Sequence, residues 1–239
     1  GPRTASMIAP YDGEPDNYGM IVTDREEMVE LVSKASAAGL ASTIHAIGDR
    51  AVHDVLDVYA DVRRQEAARG EAPSARRHRI EHVQLIHPDD VNRLADLQII
   101  ASMQPLHATS DYPMADRYWG SRTPYSYNPR LQLECGVVVA FGSDSPVEPM
   151  DPIKGIHAAV TRRRADGSPG PDGWHPEARI SLDQALRGYT RGPAYAAGLE
   201  DLQGRLAPGY LADLVVLDRD LYAADPDELL ATRVMATMV

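Results

Sequence analysis

The sequence predicts an α/β protein built on parallel strands, and three observations lead to that fold class. Short apolar runs alternate with helical patterns four times along the chain. The fourth run, residues 137–144, is almost wholly apolar, as expected of a strand that is covered on both faces. Histidine or aspartate stands near the ends of several runs, where parallel α/β folds bind their ligands.

The first 22 residues are rich in Gly, Pro and Asp, which predicts an irregular loop. Thr23 and Glu26 then have the spacing of a capping box. The apolar stripe that follows predicts a helix that ends at Gly39. The chain therefore enters its first strand from a well-marked helix.

The four apolar runs predict strands at residues 40–44, 79–86, 98–105 and 137–144. Further helices are expected to begin at Asp49, Pro88, about Pro152 and Ser181. The segment around Trp119, Tyr125 and Tyr127 predicts a long loop. The stretches "GRLAPGYLADLVVLDRD" and "RVMATMV" predict strands of a separate small β unit.

Composition limits the class of partner. The net charge of −11, from 24 basic and 35 acidic residues, argues against nucleic acid, because phosphate binding needs a basic face. No apolar run is long enough for a membrane span, and no signal-peptide pattern opens the chain. The single cysteine, Cys135, suits a reducing cytoplasm, and its apolar surroundings predict a buried packing residue.

Three strand ends carry residues that bind metals, namely His45, His82 and Asp144. Imidazole nitrogen and carboxylate oxygen suit zinc or a similar divalent ion. Such an ion lowers the pKa of a bound water to about 7, and a neighbouring carboxylate can take the proton. Each histidine alone is also explained as a hydrogen-bonded structural residue, and "GSDSP" alone as a turn. The joint pattern favours a metal site.

The stretches "IHAIGDRAVHDVLD", "HRIEHVQLIHPDD", "ASMQPLH" and "VAFGSDSPVEPMDPIKGIHAAVTR" resemble the amidohydrolase superfamily, and within it the amidohydrolase-3 (YtcJ-like) metal-dependent hydrolases. "SLDQALRGYTRGPAYAAGLED" and "GRLAPGYLADLVVLDRD" extend the resemblance over nearly the whole chain. It implies a (β/α)8 TIM barrel with an added β-sandwich. Residues 1–200 would then hold barrel strands five to eight, and residues 201–239 part of the sandwich.

The same resemblance implies roles for individual residues. His45 and His82 would be metal ligands after the fifth and sixth strands, and Asp144 would bind metal and act as the general base. Asp49 and Arg50 belong to the motif "IHAIGDRAVHDVLD", where they would hold the metal ligands in position without binding the metal. A plain helix cap is the alternative for Asp49.

Two further residues are expected to face the substrate. His107 follows the predicted third strand, and Trp119 lies in the long loop on the same side of the fold. A loop histidine with ordinary hydrogen bonds is an equally good explanation of His107.

The family also uses an H-x-H pair after the first strand and a lysine or acidic ligand near the fourth, and this sequence contains no H-x-H. The opening "GPRTASMIAPYDGEPDNYG" resembles the family segment after the fourth strand. We therefore expect the C-terminal part of an enzyme, inactive alone, either as a fragment or paired with another copy or with a missing N-terminal half.

The expected activity is metal-dependent hydrolysis of a C–N or related carbonyl bond in a small molecule, with zinc as the expected ion. The alternatives are a catalytically inactive half-barrel that serves as an assembly module, and a non-haem iron site built from two histidines and one aspartate. No motif in the sequence supports the iron site.

Overall fold

The computed structural model describes residues 2–239, which divide into two compact units. One comprises the chain up to Met103 together with Asp111–Val139, and the other comprises Gln104–Ser110 and Ala140–Val239. Within residues 2–239, no helix combines the length and the apolar character needed to cross a lipid bilayer.

The strands form a four-stranded sheet in the order of the chain. They are β1 (Thr43–Ala46), β2 (Arg79–His82), β3 (Ile100–Met103) and β4 (Val139–Phe141). The pairs β1–β2 and β2–β3 are parallel, which confirms the predicted α/β class. All four strands are shorter than the apolar runs. At the end of β2 the reason is local, because His82 and Val83 have φ of +82° and +45°, outside the extended region.

The first unit contains α1 (Arg25–Ala37), α2 (Asp49–Ala68), α3 (Arg93–Asp96) and α5 (Pro129–Glu134). The predicted cap of α1 at Thr23 is wrong. Asp24 caps the helix instead, and its carboxylate accepts a hydrogen bond from the Glu27 backbone N–H at 2.8 Å. Thr23/Glu26 and Asp24/Glu27 have the same spacing, so the pattern alone could not choose between them.

Helix α2 supplies the largest buried face of the first unit. Five apolar residues whose spacing in the sequence places them on one helix face are buried: Val52, Val55, Leu56, Tyr59 and Val62. The predicted cap at Asp49 is wrong by one residue, because Gly48 occupies the capping position and Asp49 begins the helix. The negative charge of Asp49 in the first turn still interacts favourably with the positive end of the helix dipole.

The predicted long loop is mostly helical. Helix α4 runs over Pro105–Trp119, and a 3₁₀ helix continues over Gly120–Tyr125. Pro113 lies inside α4, where it removes one backbone donor, and the helix continues past it. An internal proline and a weak apolar stripe are the signals of a loop, so the sequence pattern was misleading here.

The second unit contains α6 (Pro152–Thr161), α7 (Leu182–Tyr189) and α8 (Arg191–Ala196). Ser181 and Gln184 form the predicted capping box of α7. Helix α8 was not predicted, because a glycine and a proline stand in its first turn. The strands β5 (Leu214–Leu217) and β6 (Val234–Met238) pair antiparallel in a separate two-stranded sheet.

Candidate functional site

Two of the predicted ligands lie side by side in the first unit. The parallel register pairs Ala46 of β1 with His82 of β2, which brings His45 and His82 to the same end of the sheet. Their imidazole rings meet edge to face, with centroids 4.5 Å apart and planes at 77°. His82 is buried and His45 is exposed. The end of two neighbouring strands therefore presents two adjacent ring-nitrogen donors.

The backbone at these positions is unusual. His82, the adjacent Val83 and Asp144 all have positive φ, at +82°, +45° and +57°. Non-glycine residues rarely adopt this conformation, and such strained residues cost of order 1–3 kcal/mol each and cluster at functional sites. A β-branched valine is among the least suited residues for it. Two proposed ligands thus have backbone geometry that local preference disfavours.

The second unit places a histidine between two carboxylates. His107, in the first turn of α4, has Nε2 3.4 Å from Asp144 Oδ2 and Nδ1 3.5 Å from Glu148 Oε1. His107 is buried, the Glu148 side chain is mostly buried, and the Asp144 side chain is 40% exposed. The turn that holds Asp144 is closed by a hydrogen bond from Val147 N to its carbonyl oxygen at 2.8 Å. The centre is therefore anionic and open on the Asp144 side.

Glu148 was missed by the sequence analysis. It stands four residues after Asp144 in "SDSPVEP", and a second carboxylate in the same short segment was the available signal. Its contact with His107 depends on where α4 begins, and that region was predicted to be a loop.

The donor types fit a divalent ion such as zinc. Zinc binds imidazole nitrogen and carboxylate oxygen at about 2.0–2.2 Å, which puts two ligand atoms of a tetrahedral ion about 3.4 Å apart. The separation of His107 Nε2 and Asp144 Oδ2 is 3.4 Å, which is long for a direct hydrogen bond and matches that spacing. His45 and His82 add two imidazoles of the kind that zinc prefers.

Asp49 fastens the opening loop to the motif that follows His45. Its buried carboxylate accepts hydrogen bonds from the backbone N–H groups of Ile8 and Arg50, both at 2.9 Å. Gly48 makes the same junction possible, because a Cβ there would lie 2.0 Å from the Ser6 carbonyl oxygen. The predicted supporting role of Asp49 stays a prediction, and these contacts give it a structural basis.

The side chains of Arg50 and Trp119 have other contacts. Arg50 Nε pairs with Asp54 at 3.0 Å, one turn along α2. Trp119 is fully buried, donates its indole N–H to the Pro2 carbonyl at 2.8 Å and stacks on Tyr127 with centroids 5.6 Å apart. These contacts are typical of packing residues, and the predicted functional roles of Arg50 and Trp119 stay predictions.

Cys135 is half-buried, so the expectation of full burial is wrong. It lies at the end of α5, where Sγ is 3.4 Å from Asn92 Oδ1. Burial raises the pKa of its thiol, and the nearby carboxylates of Glu134 and Asp96 raise it further. A thiol that resists ionisation is a poor nucleophile.

A family model and several known proteins match this chain over most or all of its length. The Amidohydro_3 family model, described as "Amidohydrolase family", matches residues 1–239. YtcJ of Bacillus subtilis is 32% identical over 241 residues, which is 100% of this chain and 44% of YtcJ. The N-substituted formamide deformylase of Arthrobacter pascens is 31% identical over 231 residues, covering 96% of this chain and 41% of that enzyme.

A solved structure is also similar. A metal-dependent hydrolase of Pyrococcus horikoshii OT3 matches with a TM-score of 0.81 and 31% identity, over 94% of this chain and 43% of that one. This chain therefore spans less than half the length of each of these three relatives.

Proposed function

The chain belongs to the amidohydrolase family, and we propose that it forms part of a metal-dependent hydrolase that cleaves C–N bonds of small molecules. In this proposal residues 1–200 are the second half of a (β/α)8 barrel and residues 201–239 contribute to a β-sandwich. The observation that carries the proposal is the ring contact of His45 with His82 at the ends of two neighbouring parallel strands. Such strand ends are where parallel α/β folds bind their ligands.

We assign His45, His82 and Asp144 as the residues that would hold a divalent ion, most suitably zinc. When bound, the ion would supply a water of lowered pKa and would polarise the carbonyl group of the substrate. His107 lies between Asp144 and Glu148, so that a carboxylate flanks each of its ring nitrogens. In this arrangement His107 orients Asp144 and faces the bound substrate.

Asp144 is the proposed general base. One oxygen of its carboxylate takes the proton of the attacking water and later returns that proton to the leaving nitrogen. Its 40% exposure leaves room for water and substrate beside the carboxylate. Asp49 would keep the segment after His45 in place through its bonds to the Ile8 and Arg50 amides.

The proposed substrate class is a small amide. Its support is the formamide deformylase of Arthrobacter pascens, whose name describes hydrolysis of an N-substituted formamide. The negative net charge of this chain also argues for small molecules in preference to nucleic acids.

A second candidate function is an assembly module without catalysis of its own. One observation favours it, namely the absence of an H-x-H pair in the sequence. With fewer ligands the ion would be held more weakly, and turnover would need the remaining protein.

Zinc binding by the purified 239-residue chain tests the site assignment. We expect one bound zinc by calorimetry and elemental analysis, and at least tenfold weaker binding for His45→Ala, His82→Ala and Asp144→Asn. His87→Ala is the matched control, because its ring contacts the exposed Asp89 near a 3₁₀ helix. Equal zinc affinity in all four variants would contradict the assignment.

Turnover tests the catalytic role of Asp144. In the complete enzyme, release of amine from a series of N-substituted formamides should fall about 10²–10⁴-fold in Asp144→Asn. The circular dichroism spectrum should not change, since the substitution is nearly isosteric. Unchanged turnover would exclude Asp144 as the base.

A further inference from the structure

The turn at the end of β2 has a backbone conformation that local preference disfavours. His82 and Val83 have φ of +82° and +45°, and Val83 is buried, so its branched side chain has little room to adjust. Residues of this kind keep such a conformation only where the surrounding structure over-determines it. The contacts of the segment that follows must therefore hold the turn in place.

That segment pairs with another one that ends at Tyr127. Leu85 and Ser126 face each other in a short antiparallel bridge. Beside the bridge, Tyr127 N donates a hydrogen bond to the Gln84 carbonyl oxygen at 2.7 Å. Gln84 stands two residues after His82, so the backbone of Tyr127 binds the chain directly behind the strained turn.

The side chain of Tyr127 makes a second contact with Gln84. Its buried hydroxyl donates a hydrogen bond to Asp111 Oδ2 at 3.0 Å and lies 3.4 Å from Gln84 Oε1. Its ring stacks on Trp119, with centroids 5.6 Å apart. Tyr127 itself has φ of +46°, so this residue is also held against its local preference. Asp111 and Trp119 fix the side chain, and Tyr127 in turn fixes Gln84.

The same segment is tied to the strand that carries His45. Leu85 N donates a hydrogen bond to the Ile47 carbonyl oxygen at 2.9 Å, and Ile47 stands two residues after His45. Residues 84–86 therefore lie between the end of β1 and Tyr127, with backbone hydrogen bonds on both sides.

We propose that Tyr127 is a positioning residue for His82. It keeps the turn at His82 and Val83 in its positive-φ conformation, and this turn holds the His82 ring beside that of His45, with centroids 4.5 Å apart. The direction of Cβ follows the backbone, so a relaxation of φ toward the extended region would carry the His82 ring away from His45. The inference rests on the proposed role of His82 as a metal ligand.

Zinc binding by the purified 239-residue chain, measured by calorimetry, separates positioning from general stability. Tyr127→Phe removes only the hydroxyl and should weaken zinc binding about fivefold, which corresponds to one net hydrogen bond. Tyr59→Phe is the matched control, because it removes another buried hydroxyl, which contacts the Arg79 carbonyl oxygen at the opposite end of β2. The control should lose a similar amount of stability and keep its zinc affinity within about twofold. Equal losses of affinity in the two variants would overturn the proposal, as would full affinity in Tyr127→Phe.

NMR of the metal-free chain tests the inference without zinc. The Cα and Cβ chemical shifts of His82 and Val83 report their backbone conformation. In Tyr127→Phe these shifts should move toward the values of extended residues, and in Tyr59→Phe they should stay as in the wild type. Unchanged shifts in Tyr127→Phe would overturn the proposal. If the shifts move but the wild-type chain binds no zinc, the metal assignment fails while the positioning of His82 by Tyr127 stands, so the two failures are distinguishable.

Discussion

Helix α2 has two sides of opposite character, and both lie in the first unit. On one side its C-terminal half packs against α1 and β2 through a buried polar network. On the other side its first turns border a cavity that is also lined by residues 4–6, 20–23 and 43–45 and by Met28, and we call it the β1 slot. Apolar residues as exposed as Val22 surround it. We call the first the closed side, formed by Ser36, Arg63, Glu66 and His78.

The closed side is fully connected. The buried Glu66 carboxylate accepts hydrogen bonds from Ser36 Oγ at 2.6 Å, from Arg63 Nη1 at 2.7 Å and from His78 Nε2 at 2.9 Å. His78 Nδ1 accepts from Ser42 N at 2.9 Å, which fixes the proton on Nε2. Elements present in this chain therefore satisfy one another on the closed side. The β1 slot instead has exposed apolar side chains at Met20, Ile21 and Val22, so the two sides of α2 differ in both burial and polarity.

The largest expected effect comes from Glu66→Ala on the closed side. It leaves the Arg63 guanidinium buried without its main carboxylate, and losing one partner of a buried pair costs about 3–5 kcal/mol. Urea unfolding of the 239-residue chain measures it. Glu30→Ala removes an exposed pair with Lys34 and should change stability by less than about 0.5 kcal/mol. Equal effects of the two variants would abolish the distinction between the sides.

The second-largest loss of stability is expected from a substitution in the packed core. Leu56 on α2 is completely buried, and Leu56→Ala should cost about 3 kcal/mol through lost contacts and a cavity. Leu40, 61% exposed before β1, is the control, and Leu40→Ala should stay within about 0.5 kcal/mol. Thermal and urea unfolding should agree on this order. A large loss at Leu40 would mean that the region before β1 is covered in solution.

Acidification should weaken the closed side more gradually. Burial raises the pKa of Glu66, but hydrogen bonds from Ser36, His78 and Arg63 outweigh it and leave the pKa below its ordinary value. Burial lowers the pKa of His78, partly offset by Glu66. Both folded-state pKa values lie below the unfolded ones, so both groups contribute stability at neutral pH. That stability is lost as pH falls below about 6.5 and then through the range of carboxylates.

Urea unfolding from about pH 7.5 down to about pH 4 measures this loss, because the interval spans the ordinary pKa values of histidine and glutamate. Below about pH 5, the range in which glutamate titrates, the slope of stability against pH should be smaller in Glu66→Gln, because that side chain no longer binds a proton. A steeper decline of the variant in that range would mean that the folded-state pKa of Glu66 lies above its unfolded value.

These contrasts also explain what the sequence could predict. Periodic patterns located α2 and its buried face, and the capping box of α7, because those signals are local. The start of β2 at Arg79 was predicted correctly, but its C-terminal end was missed because His82 and Val83 adopt positive φ, which no propensity encodes. Helix α4 was not predicted because Pro113, which lies inside it, is a residue typical of loops.

The features of the candidate site also fall into two groups, those that local signals predict and those that depend on the tertiary arrangement. His45, His82 and Asp144 could be proposed from residue type at strand ends and from family resemblance. Glu148 reaches His107 only through the start of α4, and the β1 slot is lined by segments that are far apart in the chain. Such features depend on tertiary arrangement, and a linear pattern does not contain it.

A smaller loss of stability is expected from a substitution at Tyr59 of α2. Its hydroxyl contacts the carbonyl oxygens of Ser42 and Arg79 at 3.1 and 2.9 Å, and so ties α2 to β1 and β2. Tyr59→Phe should cost about 1 kcal/mol, the net value of one hydrogen bond. Tyr18→Phe, at a half-exposed ring, should have no measurable effect on urea unfolding. A loss equal to that of Leu56→Ala would mean that the hydroxyl anchors far more than these two carbonyls.

The smallest effect on the chain alone is expected at Leu31, and it sharpens the comparison most. Leu31→Ala should leave the free energy of unfolding within about 0.5 kcal/mol, because the side chain is 55% exposed. Leu31 shares a helix face with Met28, which lines the β1 slot. Urea unfolding measures the effect, and Lys34→Ala, also exposed on α1, is the control. A loss as large as that of Leu56→Ala would mean that this face of α1 is covered in solution, as the closed side is.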